Sequence, residues 1–151
     1  MSTGIVVGIE GTPASRAALA WAFREGLTRQ ASVTVVHAWT HGAGRDVQLA
    51  RASTCMVAAA VAEAERAVGG KPPVVERSCA GAVAKVLLLE AEDADLLVVG
   101  RGHRAGVVDV MGHSVSAEVV RHAPCPVVVV PGPPVAEGSI DLNDPAAVVG
   151  A

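Results

Sequence analysis

The residues best suited to chemistry in this chain are the glycines Gly100, Gly102, Gly106 and Gly112, closed by Ser114 and Ser116. Among them stand Arg101, His103, Arg104 and His113. A glycine-rich loop can turn several backbone N–H groups toward one point, and a helix beginning at its end adds a positive terminus. Phosphate is the natural ligand of such a loop, and the Arg and His side chains offer further charge-assisted donors. No lysine stands in the loop, so the lysine-bearing phosphate loop of nucleotide hydrolases is missing. The Gly-x-Gly-x-x-Gly fingerprint of dinucleotide binders is also absent after the first apolar run, where only Gly8 and Gly11 occur.

The loop must be held by the elements on either side of it. Leu96 to Val99 is a continuous apolar run that stops at Gly100, the pattern of a strand buried on both faces. After the loop, Val115, Val119, Val120 and Ala123 recur at helical spacing until Pro124, and Val127 to Val130 reads as a last strand. Toward the N-terminus, Ile5 to Ile9 is another short apolar run. Thr12 is an N-cap with Pro13 at the first helical position, opening a helix with Ala18, Trp21 and Ala22 inward; Gly26 and Gln30 close it. Ser32 to Trp39 is a strand by β-branched content. Asp46 to Val68 follows as a long helix, with Val47, Ala50, Thr54, Val57, Val61, Ala64 and Val68 on one face, and Gly69 to Pro73 ends it. Val74 to Cys79 is a more polar strand suited to a sheet edge, and Ala82 to about Glu92 is a helix carrying Val83, Val86, Leu87 and Glu90.

Strands and helices thus alternate, β-α-β-α-β-α-β-α-β. Right-handed crossovers then predict an α/β fold: a five-stranded parallel sheet with four helices covering both faces. In the order 3-2-1-4-5 the reversal lies between the first and fourth strands, where such sheets bind ligands. The turn at Glu10 to Pro13 and the loop from Gly100 to His113 would face each other across one cleft. Glu10 could then meet the ribose hydroxyls of a nucleotide whose phosphates the glycine loop holds, and His37, at the end of the second strand, would line the base side.

Composition narrows the function. The chain has 151 residues, enough for one domain with its own core. Its apolar residues are mostly Ala, Val and Leu, and Trp21, Trp39 and Phe23 are the sole aromatics. The formal charge is −3, from 12 basic and 15 acidic residues. So few aromatics and no basic excess argue against nucleic acid or an anionic membrane as partner. No basic leader precedes an apolar stretch and no window reaches membrane-spanning length, so a cytoplasmic protein is expected. Cys55, Cys79 and Cys125 lack metal-ligand spacing and read as reduced core or near-core thiols. The organisation expected is one domain over residues 1–131, followed by a loosely held Pro-rich tail over 132–151. The terminal strand Val127 to Val130 would leave an apolar edge, and pairing with a second copy across a two-fold axis would remove it.

The stretches IVVGIEGTPASRAALAWA, LTRQASVTVVHAW, EDADLLVVGRG and GHSVSAEVVRHAPCPVVVV together resemble the universal stress protein family, from Ile5 to Val130. The resemblance implies a universal-stress-protein-like, adenine nucleotide alpha hydrolase-like fold, pairing through the last strand into a homodimer. It also implies that ATP, with Mg or Mn accompanying it, is the ligand in those members that bind one. In that branch a Gly ends the fourth strand, a second follows after two residues, and a third comes nine further on, directly before Ser or Thr. Here those second and third positions are His103 and His113; Gly102 and Gly112 stand one residue earlier. The acidic residue after the first strand, usually Asp, is Glu10, one methylene longer.

Alternatives stay open at several positions. Glu10 reads equally as a ribose acceptor or a solvated carboxylate at a helix entrance. Ser114, with Val115 behind it, reads as a phosphate contact or simply as the cap of the last helix. A side chain at His103 or His113 would fill space beside a phosphate, yet would also supply a donor. Neither histidine has the spacing of a helical metal pair, and no metal site is expected. Gly8, Glu10, His37, Gly100, Arg101, Gly102, His103, Gly106, Gly112, His113, Ser114 and Val115 form the candidate set. Three functions fit: a stress-response protein that binds an adenine nucleotide, a nucleotide-free dimer that recognises another protein, and a slow ATP hydrolase. No catalytic residue is evident for the third.

Overall fold

The computed structural model describes residues 4–101 and 114–133. Its elements are β1 (Gly4–Gly8), α1 (Pro13–Arg29), β2 (Ser32–Trp39), α2 (Asp46–Val68), β3 (Val74–Ala80), α3 (Val83–Glu90), β4 (Leu96–Gly100), α4 (Val115–His122) and β5 (Val127–Val130). The five strands form one sheet in the order β3-β2-β1-β4-β5. Every pairing is parallel. The alternating, reversing topology expected from the sequence is therefore the one found.

Strand alternation divides the core in two. Ile5, Val7, Val33, Val35, Leu96 and Val98 face α1 and α2, meeting Leu19, Phe23, Val57 and Val61. Val6, Val36, Leu97 and Val99 face the other way, onto Ala84, Leu87 and Val119. This double burial is why β1 and β4 read as unbroken apolar runs. β3, exposed over most of its length, lies at one edge.

Several helical faces differ from the periodic reading. In α2 the inward polar residue is Ser53, whereas Thr54 and Val47 are exposed. In α4 Val119 alone is buried, and Val115 and Val120 face solvent. Trp21 is half-buried, and Leu19 and Phe23 carry the α1 contact instead. Gly26 does not close α1. It lies buried inside the helix, where an added Cβ would come within 2.8 Å of Val33 Cγ2. The closing residue is Gln30, in the left-handed region at φ 56°.

The cysteines also need correction, because Cys55 is exposed on α2 rather than near the core. Cys79 and Cys125 are half-buried, and burial pushes both thiols up, with the Glu90 carboxylate adding to this at Cys79. A raised thiol pKa disfavours the thiolate, the reactive form. Of the tail, residues 134–151 lie outside the described residues.

Candidate functional site

In a parallel sheet all strand-to-helix turns emerge at the same edge, and the neighbours β1 and β4 bring two of them side by side. The register sets Val7 opposite Val98. Glu10 and Arg101 therefore leave the sheet at the same height, where the strand order reverses. Beyond β1, Ile9 N–H donates to Val36 O at 2.9 Å, and beyond β4, Arg101 N–H donates to Val130 O at 2.7 Å. Both turns are thus tied to the sheet before they enter the rim.

The Glu10 turn is held by a pair of hydroxyls. Thr12 caps α1 by accepting from Ser15 N–H at 3.2 Å. Ser15 Oγ in turn accepts from Glu10 N–H at 3.2 Å and donates to Thr12 O at 3.1 Å. Thr12 and Ser15 hold the N-cap and N3 positions of a capping box, but the serine accepts from Glu10 N–H, two residues before the cap, and so ties down the turn that enters the helix. The Glu10 carboxylate is exposed and accepts from Thr12 Oγ1 at 3.2 Å. Ser15, 2% exposed, was missed in the sequence; its position three residues after the cap was the available signal.

Two of the candidate glycines have packing reasons for their identity. A Cβ on Gly100 would stand 2.7 Å from Ala14 C and Ser15 N, because the end of β4 presses on the first turn of α1. A Cβ on Gly8 would meet first the Leu87 side-chain methyls, at 2.9 Å. Ser114 caps α4 by accepting from Ala117 N–H at 3.0 Å, and its hydroxyl also meets Ser116 Oγ at 2.8 Å. Val115 is the first residue of that helix. Gly102, His103, Gly106, Gly112 and His113 lie outside the described residues.

His37 is the half-buried histidine of the rim. Its Nδ1 lies 2.7 Å from Ser53 Oγ, and burial lowers its pKa, opposed by the negative charge of Glu10. Trp39, further along β2, meets the edge of the His41 ring at 5.5 Å between centroids. Asp46 then closes the loop after β2, accepting from Gly42 N–H at 3.0 Å and pairing with His41 Nδ1 at 2.9 Å. That hydrogen bond from His41, followed by the one from Gly42, holds the Asp46 carboxyl below its ordinary range. Ser53 and Ser78 were not singled out from the sequence, since no spacing links residues on α2 and β3 to one on β2.

The rim so assembled offers an exposed carboxylate, backbone donors beside a helix start, and a histidine. No group of three potential metal ligands occurs among the described residues. None of the described helices is long and apolar enough to cross a membrane. A groove between α3 and α4, floored by Leu88 and Leu89, reaches toward Pro124 at the opposite end of the sheet and contains no member of the candidate set.

Comparison with known proteins agrees with this architecture. The profile of the universal stress protein family matches residues 1–131. A universal stress protein of Mycobacterium tuberculosis is 33% identical over 85% of this chain and 48% of its own length. One of Mycobacterium bovis is 32% identical over 83% of the chain and 44% of its own length. The chain spans about half the length of these curated relatives. A universal stress protein solved in complex with cAMP superposes with a TM-score of 0.66 at 25% identity, covering 85% of this chain and 96% of that one. Another, from Arabidopsis thaliana with AMP bound, gives 0.60 at 20% identity, covering 95% and 99%. The profile match and the curated relatives together show that the chain belongs to the universal stress protein family.

Proposed function

We propose that this stress protein works by binding an adenine nucleotide at the rim between β1 and β4. The observation that carries the reading is that Glu10 and Arg101 follow the ends of two adjacent, in-register parallel strands at the reversal of strand order. Glu10 accepts from the ribose hydroxyls, as its carboxylate is exposed and its turn is already fixed by Ser15. Phosphates lie toward Arg101, the glycine-rich loop and the start of α4. Support comes from the solved relatives described with cAMP and AMP. ATP is the nucleotide to test first, with Mg or Mn as its counter-ion.

The protein acts as a binder rather than a catalyst, in the cytoplasm. Bound ligand changes the surface shown to a protein partner, a population shift driven by differential affinity. Titration calorimetry with ATP, AMP and Mg tests this; no heat with either nucleotide defeats it. A slow ATP hydrolase ranks below both binding readings, for want of a lysine in the glycine-rich loop or an evident base.

A second reading, a nucleotide-free dimeric module that recognises another protein, shares with the first a homodimer that β5 supports. That strand pairs with β4 alone among the described strands, and Val129 is exposed on it. Two copies joined along Val127–Val130 would cover both edges.

A further inference from the structure

Behind the rim, side chains from three elements form one hydrogen-bonded run. Ser78 Oγ on β3 donates to Ser53 Oγ on α2 at 2.6 Å, and Ser53 Oγ lies 2.7 Å from Nδ1 of His37 on β2. Ser78 is the register partner of His37, and Ser53 comes from the helix covering both strands. Ser53 is 3% exposed, and with Ser15 it makes up the buried polar residues among those described.

The run has a direction. A hydroxyl has one proton to donate. Ser53 receives its bond from Ser78, so its own proton is free to go to His37 Nδ1. Burial favours the neutral imidazole. A neutral ring that accepts at Nδ1 carries its proton on Nε2. Nε2 has no hydrogen-bond partner among the described residues, and the charge of Glu10 acts on the same ring. Two residues on, and so on the same face of β2, Trp39 Nε1 is buried with no acceptor among the described residues. This corner of the rim therefore holds two donors, His37 Nε2–H and Trp39 Nε1–H, that have no hydrogen-bond partner among the described residues.

We infer that the Ser78–Ser53–His37 run fixes His37 as an Nε2–H donor, and that this donor reads an unprotonated ring nitrogen on the base of a bound nucleotide. The inference rests on the nucleotide reading of the rim. His37 is the ligand-contacting residue; Ser53 and Ser78 are positioning residues that select its tautomer.

Two measurements on the full chain test it. Long-range proton–nitrogen correlation spectra at neutral pH, assigned with His37→Phe, should show the His37 proton on Nε2 in the parent and a mixture of tautomers in Ser53→Ala. A parent ring protonated on Nδ1 overturns the inference, whatever the nucleotide result. Calorimetry then compares AMP with ribose 5-phosphate, which has no base. His37→Phe should weaken AMP about tenfold, and Ser53→Ala by a smaller factor, with ribose 5-phosphate unchanged in both. Equal losses for both ligands, or no loss for AMP, overturn it while leaving nucleotide binding in place. A parent protein that takes up neither ligand defeats the nucleotide reading itself, and the base contact with it.

Discussion

A methyl group on Gly100 would stand 2.7 Å from the carbonyl carbon of Ala14 and equally close to the amide nitrogen of Ser15. Both neighbours are backbone, in the first turn of a helix that caps the β1 turn, so neither can rotate away. The contact joins the two halves of the rim: the end of β4 cannot move without moving the turn that carries Glu10. Gly100→Ala should therefore destabilise the fold by about 1–3 kcal/mol. Gly8→Ala should cost less, because its neighbours are methyls of Leu87, which can change rotamer. Urea unfolding of the two variants checks the order.

Thr12→Ala removes the hydroxyl that accepts from Ser15 N–H and should cost about 0.5–2 kcal/mol. Ser15→Ala should cost a comparable amount, since it leaves the Glu10 N–H without its acceptor. If Glu10 contacts ligand, Ser15→Ala should also lower nucleotide affinity more than Thr28→Ala, a change at the far end of the same helix. Thermal melts paired with calorimetry separate the two effects.

His37 makes stability depend on pH. Its folded pKa lies below the unfolded value of about 6.5, so the unfolded chain takes up the proton first. Stability should be unaffected by this group above that value, fall as pH drops through it, and level off below the lowered folded pKa. His37→Gln should flatten the dependence in that window. Asp46 works at more acid pH and in the usual carboxylate sense: its contribution is present above the unfolded value and is lost as pH falls through its depressed folded value. Urea midpoints taken across the acid range would show the two steps apart.

Glu10→Ala should weaken adenosine and ATP alike, whereas Ser114→Ala should weaken ATP and leave adenosine unchanged. Loss of the α4 cap alone would predict equal effects on both ligands. Calorimetry with the two ligands distinguishes these outcomes.

Val129→Lys places a charge at the exposed middle of β5. If the edge pairs with a second copy, the variant should be monomeric under conditions where the parent is dimeric, with its melting temperature moving toward that of a dilute parent sample. Light scattering coupled to size exclusion reads the mass directly.

Much of the fold was legible because burial writes itself into the periodicity of the chain. Runs such as Leu96 to Val99, apolar at every position, occur only where a strand is covered twice. The cap at Thr12-Pro13 and the stop at Gly69 to Pro73 marked their helix boundaries for local reasons, and the alternation of elements implied a parallel sheet covered on both faces. Helical faces were less legible. Val47, Thr54 and Val120 satisfy the spacing of a buried stripe, yet each is exposed, and the buried positions beside the last two are Ser53 and Val119.

The chain's sequence alone determined the alternating order of elements, the glycine-rich loop after Gly100, the substitution of His103 and His113 into it, and the lack of any charge pattern for nucleic acid. These are local or additive properties, readable one segment at a time. Only the tertiary structure decided that Gly100 is a packing glycine against Ala14, that Ser15 anchors the Glu10 turn, and that Ser53 and Ser78 line up behind His37. The last of these joins residues 16 and 25 positions apart on three elements. Their meeting follows from strand register and helix placement, which no spacing along the chain encodes.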